Sequence, residues 1–387
     1  MRASFGSASR EIPTSDGESR PRYRPDVDGL RAIAILAVVL YHVHVPGFGG
    51  GFVGVDIFFV ISGFLIGGIV FREVDAGRYS FATFYARRAK RILPALLGMT
   101  FVVSLLAIAL FDSDQLRAFA QSDATALLGS SNVHYWAQAH YFDLDWRLEP
   151  LVMTWSLGVE EQFYLFLPPL MLLLHRISPR AIAPVVALLS VLSLALSVQL
   201  VKSQPSAAFY LLPGRAWELG VGVLVALWQE HRRAPPGRRL ADPISLGALL
   251  AIAAAIALFD DETGFPGLAA LLPVVGTAVL IVTAPSWLNR SILATRPMRF
   301  IGLVSYSWYL WHWPPLVLAR HALGREPKPV EYAALVLASF AVACASWRFI
   351  EMPFRRRTTI ANVELLKRYG IALLASLGMA GACFAVA

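Results

Sequence analysis

The chain has 387 residues, of which 57% are hydrophobic and only 16% are charged, and its formal net charge is +8. Soluble globular chains carry about 25% charged residues, so this composition excludes the soluble classes and indicates a polytopic membrane protein. The positive charge does not indicate nucleic-acid binding, because the basic residues are dispersed over several loops, as the positive-inside rule expects. No nucleic-acid partner is expected, whereas a lipid bilayer is.

Apolar runs of spanning length predict an all-α membrane bundle of about ten core helices plus an eleventh, C-terminal span. The polar residues 1–24 are expected to form a disordered arm, and 112–154 is too polar to span. The predicted spans, in chain order, are 30–46, 52–71, 92–111, 155–174, 181–201, 211–229, 243–259, 267–284, 300–320, 331–349 and 370–387.

The loops predict an orientation. Basic clusters at 72–91 and 232–239 are expected on the cytoplasmic side, and the acidic run at 260–262 outside. The N-terminus is therefore predicted to be cytoplasmic and the C-terminus extracytoplasmic, in a bacterial inner membrane. One loop, at 320–328, breaks the pattern because it is basic yet falls outside by count. The cysteines, Cys344 and Cys383, lie in apolar spans, so neither a disulfide nor a metal site is expected.

The first two spans carry three ionisable residues. Ten residues separate Arg31 from His42, which places them about 16 Å apart along one helix, with Arg31 at a membrane face and His42 well inside. Asp56 follows a glycine-rich turn at the same distance as His42 precedes it, so we predict that its carboxylate orients the imidazole as a general base. The alternatives are a histidine that only packs in the bundle and an aspartate bonded to the turn backbone.

Two further features lie toward the cytoplasmic side. Ser62 is a candidate for substrate binding, although Ser62 and Gly63 also suit close helix packing. Arg88 and Arg91, three residues apart, project from one helical face and form a candidate phosphate clamp. The alternative for the arginines is anionic-lipid anchoring and topology.

Polar residues of three later spans reach the outer half of the bundle: Glu160, Glu161, Arg215, Glu218 and His312. Glu160 is a candidate catalytic residue, and the other four are candidates for substrate binding. Arg215 and Glu218 stand at i and i+3, a natural ion pair. Each residue alone could be a satisfied bundle residue or part of an interfacial belt. Their common depth, shared with the histidine and aspartate of the first two spans, predicts one outward-open polar cavity.

At this point the motifs resemble the membrane acyltransferase-3 family, over about residues 24–357. They recur in order: Arg31 with His42, GVDIFFVISGFLI at 54–66, RRAKRILP at 87–94, WSLGVEEQFY at 155–164, RAWELGVG at 215–222 and SYSWYLWHWP at 305–314. The resemblance implies transfer of an acyl group, most often acetyl, from cytoplasmic acyl-coenzyme A to a hydroxyl of an extracytoplasmic carbohydrate. It also implies that Arg31 and His42 are the catalytic pair and that Arg88 and Arg91 bind the donor.

We divide the chain into the arm 1–24, an acyltransferase membrane domain 25–357, and a linker with an eleventh span at 358–387. Relatives with that extra span often carry an extracytoplasmic SGNH-type domain behind it. We therefore expect either that such a domain is absent or that the sequence is truncated before it, and an extracytoplasmic SGNH-type domain or partner is the partner that the resemblance implies.

Two mechanisms and one rival function stay open. His42 could deprotonate the acceptor hydroxyl directly, or relay the acyl group through a covalent step. The rival is a transporter or flippase of an envelope glycan precursor, since intramembrane ionisable residues also mark transport paths. Against it stand the absence of visible inverted repeats and the arginine cluster next to a cytoplasmic mouth.

Overall fold

The computed structural model describes residues 23–141, 146–231 and 237–356, together with scattered residues between 364 and 381. These residues form helices and no strand, which confirms the all-α prediction for the described part of the chain. The helices are α1 Pro25–His42, α2 Gly54–Asp75, α3 Phe81–Leu110, α4 Ser113–Leu127, α5 Ser131–Tyr141, α6 Thr154–Ile177, α7 Ile182–Ser203, α8 Pro205–Tyr210, α9 Leu212–His231, α10 Arg238–Leu258, α11 Leu271–Val282, α12 Arg296–Trp311, α13 Pro314–Leu323, α14 Pro329–Ala345 and α15 Met352–Arg356.

Seven helical segments of the described chain are long and apolar enough to cross a membrane, so the protein is a multi-pass membrane protein. Each contains one of the long helices α2, α3, α6, α7, α9, α10 and α14. Among them run α1, α11 and α12, which are shorter or more charged. Residues 1–22 of the predicted arm and half of the predicted eleventh span lie outside the described residues, so the total of eleven spans stays a prediction.

Two predicted segments differ in detail from the structure. The span predicted at 300–320 is two helices, because Pro314 and Pro315 lack the N–H groups that would continue the hydrogen bonding of α12. The segment 112–154, predicted only not to span, contains the two shorter helices α4 and α5. Asp112 begins α4 with a capping box, in which its carboxylate accepts from Gln115 N–H at 2.9 Å.

We call the end of the bundle where α1 begins the lower end, and the opposite end the upper end. Close helix contacts fix the interior between them. An added Cβ at Gly63 of α2 would lie 1.9 Å from the carbonyl oxygen of Leu219 in α9. One at Gly222 of α9 would lie 2.1 Å from the carbonyl oxygen of Val60. Glycine therefore lets the two backbones touch, as small residues do in membrane bundles.

A glycine contact of the same kind joins α1 to α12. An added Cβ at Gly302 of α12 would lie 1.9 Å from the carbonyl oxygen of Asp28, near the start of α1. The two helices run in the same direction from this contact, and their last turns reach the upper end together. Their upper ends bring His42 next to His312.

In the loop at 320–328, which departs from the predicted charge pattern, both arginines are paired with glutamates. Arg320 pairs with Glu326 at 2.9 Å, and Arg325 pairs with Glu331 at 2.8 Å. Burial raises the pKa of Glu326, but hydrogen bonds from Tyr332 and Arg320 outweigh it and hold that pKa below its usual value. The carboxylate is therefore ionised, and the positive charge of these arginines is offset locally. This explains how they can lie at the acidic end of the bundle.

Candidate active site

A cavity of about 600 Å³ opens at the upper end, and we call it the upper cavity. His42 and Arg215 line it, together with an acidic loop segment. Eight aromatic residues contribute to its remaining wall, and their rings suit the apolar faces of sugar rings. The aromatic and acidic lining residues are Tyr41, Phe52, Trp146, Trp155, Phe209, Tyr210, Phe265, Tyr309, Asp260, Asp261 and Glu262.

His42, the last residue of α1, packs among rings at this cavity. Its centroid lies 4.6 Å from the ring of Trp313 and 6.2 Å from that of Trp146. Its Nδ1 lies 3.1 Å from Nε2 of His312. The Nδ1 of His312 lies 2.7 Å from the carbonyl oxygen of Tyr309. His312 is buried and is not among the residues that line the upper cavity.

Asp56 is not the partner of His42, so that prediction is wrong. Asp56 Oδ1 lies 3.3 Å from Arg215, whose other terminal nitrogen lies 3.3 Å from Glu218. All three residues are almost completely buried. Two carboxylates therefore face one guanidinium, because burying a charge is costly unless it is paired. Sharing a depth along two helices did not bring Asp56 and His42 together, because their side chains point to different neighbours.

Four aromatic rings surround that guanidinium. Its central carbon lies 5.3 to 5.7 Å from the ring centroids of Phe59, Trp155, Phe209 and Phe265. Cation–π attraction adds to the ion pairs in such a desolvated position. The predicted pair of Arg215 and Glu218 is confirmed, but only Arg215 of the group lines the upper cavity.

A second, narrower cavity of about 90 Å³ lies below the first, and we call it the lower cavity. Arg31, Arg88 and Arg91 all line it, so the three predicted arginines converge. Arg31 is nearly buried and has Asp28 at 3.6 Å, so it faces the interior of the bundle near the lower end of α1. Neither Arg88 nor Arg91 has a carboxylate within salt-bridge distance among the described residues. A pocket with unpaired guanidinium groups suits a phosphate-bearing ligand.

Polar residues other than the arginines also line the lower cavity. Tyr164 donates to Glu160 at 2.6 Å and forms a short hydrogen bond with Ser62. All three residues line the lower cavity. Glu160 thus lies with the arginines and not with His42. The prediction that one outward cavity holds all the polar residues is wrong, because helix depth alone does not determine which face of a helix a residue occupies.

Glu161 lies apart from both cavities. An added Cβ at Gly129, which precedes α5, would lie 2.3 Å from its Oε2, and Glu161 lines neither cavity. Its predicted role in substrate binding therefore has no support in the geometry. No group of three or more His, Cys, Asp or Glu side chains suited to a metal ion occurs in the described part of the chain.

The two cavities meet at Val55 and Tyr309, which line both. The hydroxyl of Tyr309 donates to the carbonyl oxygen of Met153 at 2.9 Å and lies 2.7 Å from Ser156 Oγ. These bonds fix the tyrosine ring at the junction. Ligands entering the two cavities would therefore approach each other at this point, and His42 lines the upper one of the two.

Sequence reasoning missed Tyr309 and Arg355. Tyr309 occupies position five of the motif SYSWYLWHWP, three residues before His312, so the i, i+3 spacing on a helix was an available signal. Arg355 ends the last apolar helical segment of the described chain and lines neither cavity, but its charge acts on Arg31 and Arg88. Its Nη1 donates to buried Glu351 at 3.0 Å. No local pattern distinguished it from the other arginines of a basic linker.

A known protein family and several known proteins match most of this sequence. The family model described as an acyltransferase domain, acyltransferase-3, matches residues 24–348. The O-acetyltransferase OatA of Staphylococcus aureus is 32% identical over 368 residues, which cover 90% of this chain and 60% of that protein. The peptidoglycan O-acetyltransferase OatA of Listeria monocytogenes is 33% identical over 354 residues, which cover 87% and 56%.

The chain thus spans little more than half the length of these relatives. No solved structure matches it significantly. The family model covers most of the chain, including every predicted site residue from Arg31 to His312. The chain therefore belongs to the acyltransferase-3 family.

Proposed function

We propose that this protein transfers an acetyl group from cytoplasmic acetyl-coenzyme A, or a related acyl-coenzyme A, to a hydroxyl of an extracytoplasmic cell-wall glycan. The observation that carries the proposal is the pair of cavities that meet at Val55 and Tyr309, one basic and one aromatic. Transfer to a cell-wall carbohydrate is supported by the names of the relatives, of which one is a peptidoglycan O-acetyltransferase.

The donor enters the lower cavity in this proposal. The phosphates of coenzyme A bind Arg88 and Arg91 at the lower mouth, and the pantetheine arm extends upward. Arg31 lines the same path, about 16 Å below His42 along α1. In this proposal the lower end lies in the cytoplasm, in a bacterial inner membrane, with the N-terminus inside and the C-terminus outside.

The acceptor enters the upper cavity, where aromatic rings pack against its sugar faces. Nε2 of His42 takes the proton from the acceptor hydroxyl as its oxygen attacks the thioester carbonyl carbon. The new C–O bond forms, the C–S bond breaks, and the thiolate of coenzyme A leaves. The proton held by His42 then neutralises the thiolate, so no net proton is released. This is direct transfer, without a covalent acyl-enzyme.

An in vivo complementation assay tests the proposal. Mass spectrometry would measure O-acetyl groups on envelope glycans of a deletion strain that expresses either the wild type or His42→Ala. We expect the wild type to restore acetylation and His42→Ala to leave it at the deletion level, with equal membrane insertion. His44→Asn is the matched control, because His44 is exposed, lines neither cavity and has a φ of +56°, which asparagine tolerates.

Two results would contradict the proposal. Full acetylation by His42→Ala would remove His42 from the chemistry. Unchanged acetylation in the deletion strain, together with no binding of coenzyme A to the purified protein, would favour the rival transporter, since a glycan flippase has no use for coenzyme A. An extracytoplasmic SGNH-type domain stays a proposed partner, and a strain that lacks it would show whether transfer is complete without it.

A further inference from the structure

The role of His312 follows from which of its ring nitrogens carries a hydrogen. His312 donates from Nδ1 to the carbonyl oxygen of Tyr309, because a carbonyl oxygen can only accept. A neutral imidazole carries one N–H, so Nε2 of His312 is left with a lone pair. The contact of 3.1 Å between this nitrogen and Nδ1 of His42 then requires that His42 be the donor.

The same assignment of hydrogens determines the tautomer of His42. Because Nδ1 of His42 carries the proton, Nε2 carries the lone pair. No protein group bonds to that Nε2 among the described residues, and His42 lines the upper cavity. The free lone pair is what a general base needs. The alternative tautomer of His42 would leave two lone pairs facing each other at 3.1 Å.

We propose that His312 is a positioning residue that holds His42 in the tautomer with a free lone pair on Nε2. His312 is itself held by its hydrogen bond to the backbone carbonyl of Tyr309. This inference rests on the proposed function, in which His42 is the base. It replaces the predicted role of Asp56, and it replaces the predicted contact of His312 with substrate, because His312 does not line the upper cavity.

The neighbours of His42 and His312 hold the two rings in a fixed relative orientation. His312 is the residue after α12, and Pro314 and Pro315 begin the next helix. The rings of His312 and His42 lie nearly edge to edge, with an interplanar angle of 24° and a centroid separation of 5.2 Å, as a hydrogen bond between their facing nitrogens requires. No carboxylate bonds to either ring in the part of the chain that the structure describes. The pair therefore orients the base through a neutral carbonyl, where serine hydrolases use an aspartate.

Two nearly isosteric substitutions separate this role from packing. Gln at position 312 places an amide oxygen where His312 has Nε2, so it can still accept from His42. Asn places its amide where His312 has Nδ1, so it can bond to Tyr309 but cannot reach His42. The two variants differ little in polarity and bulk. A residue that only fills space would tolerate both equally.

The assay is acetyl transfer by the purified full chain in proteoliposomes, with acetyl-coenzyme A as donor and cell-wall oligosaccharide as acceptor. We expect His312→Asn to lower kcat about 100-fold, the size of a lost general-base contribution, and His312→Gln to lower it less than about tenfold. The KM for acetyl-coenzyme A should stay unchanged, since the donor lies in the other cavity. Binding of coenzyme A by each variant shows that it has folded.

A spectroscopic measurement tests the tautomer without activity. Solid-state ¹⁵N spectra of the histidine-labelled protein, compared with those of His42→Asn, identify the two ring nitrogens of His42. We expect a protonated Nδ1 and an unprotonated Nε2 in the wild type, and a mixture of tautomers in His312→Asn. An unprotonated Nδ1 in the wild type would overturn the inference.

The outcomes separate this inference from the function on which it rests. Equal activity of His312→Asn and His312→Gln, with an active wild type, would overturn the positioning role and leave the proposed function intact. A wild type that binds no coenzyme A and transfers no acetyl group would overturn both. Loss of transfer in His312→Asn alone, with a shifted tautomer, supports the inference.

Discussion

Donor binding at the lower cavity gives the sharpest test of the site, because the chain supplies its own control. Arg88 and Arg91 line the lower cavity, and neither has a carboxylate partner in the described chain. Arg87, on the same helix, is instead held by Glu73 at 2.7 and 2.8 Å and does not line the cavity. Each substitution by alanine removes one positive charge from the same turn of α3. Only Arg88→Ala and Arg91→Ala should weaken the binding of coenzyme A.

The magnitude follows from one charge-assisted hydrogen bond per arginine. Such a bond contributes about 1.5–3 kcal/mol, so Arg88→Ala or Arg91→Ala should raise the Kd for coenzyme A about 10- to 150-fold. Arg87→Ala breaks a partly exposed ion pair outside the cavity and changes only a screened, longer-range field, so its effect should stay below about fivefold. Higher salt should weaken binding to the wild type, since the contacts are ionic.

Isothermal titration calorimetry of the purified protein with coenzyme A measures all three constants. Equal weakening in the three variants would show that the cluster acts only through its summed charge. Normal binding by Arg88→Ala and Arg91→Ala would assign the arginines to lipid anchoring and topology, which is the alternative that the sequence leaves open. Either result would refute the phosphate clamp.

Three further predictions concern orientation and stability. Ala76 and Ser113 are exposed at the lower and upper ends, and each is replaced by cysteine in a protein that lacks its native cysteines. Ala76→Cys should react with an impermeant thiol reagent only after permeabilisation, whereas Ser113→Cys should react before it. The reverse result would invert the proposed topology. Arg215→Met should cost about 3–5 kcal/mol, seen as a lower Tm in detergent, because two buried carboxylates lose their counter-charge, and an unchanged Tm would contradict this ion group. Gly63→Ala should lower the yield of monodisperse protein because its Cβ meets backbone at 1.9 Å, whereas Gly68→Ala meets only a side-chain tip at 3.2 Å and should not; equal yields would contradict the close approach of α2 and α9.

Much of the fold could be read from local properties of the sequence. Hydropathy and length predicted the spanning helices, because a helix in lipid must be apolar over a fixed distance whatever its neighbours are. The break of α12 before Pro314 was also present in the sequence, although the prediction placed a single span there. The convergence of Arg88 and Arg91 followed from helical periodicity within one element. Each of these inferences needs only residues that are close in the chain.

Only the tertiary structure decided which polar groups meet. His42 and His312 are 270 positions apart, and their contact depends on α1 and α12 running in the same direction from a glycine contact at Gly302. Depth along a helix was estimated well enough from the sequence, but the direction in which a side chain points was not. Asp56 therefore pairs with Arg215, Glu160 lies with the arginines, and His42 finds a histidine in place of a carboxylate. The physical reason is that helix packing sets rotation and neighbours through contacts between distant segments, which no local pattern records.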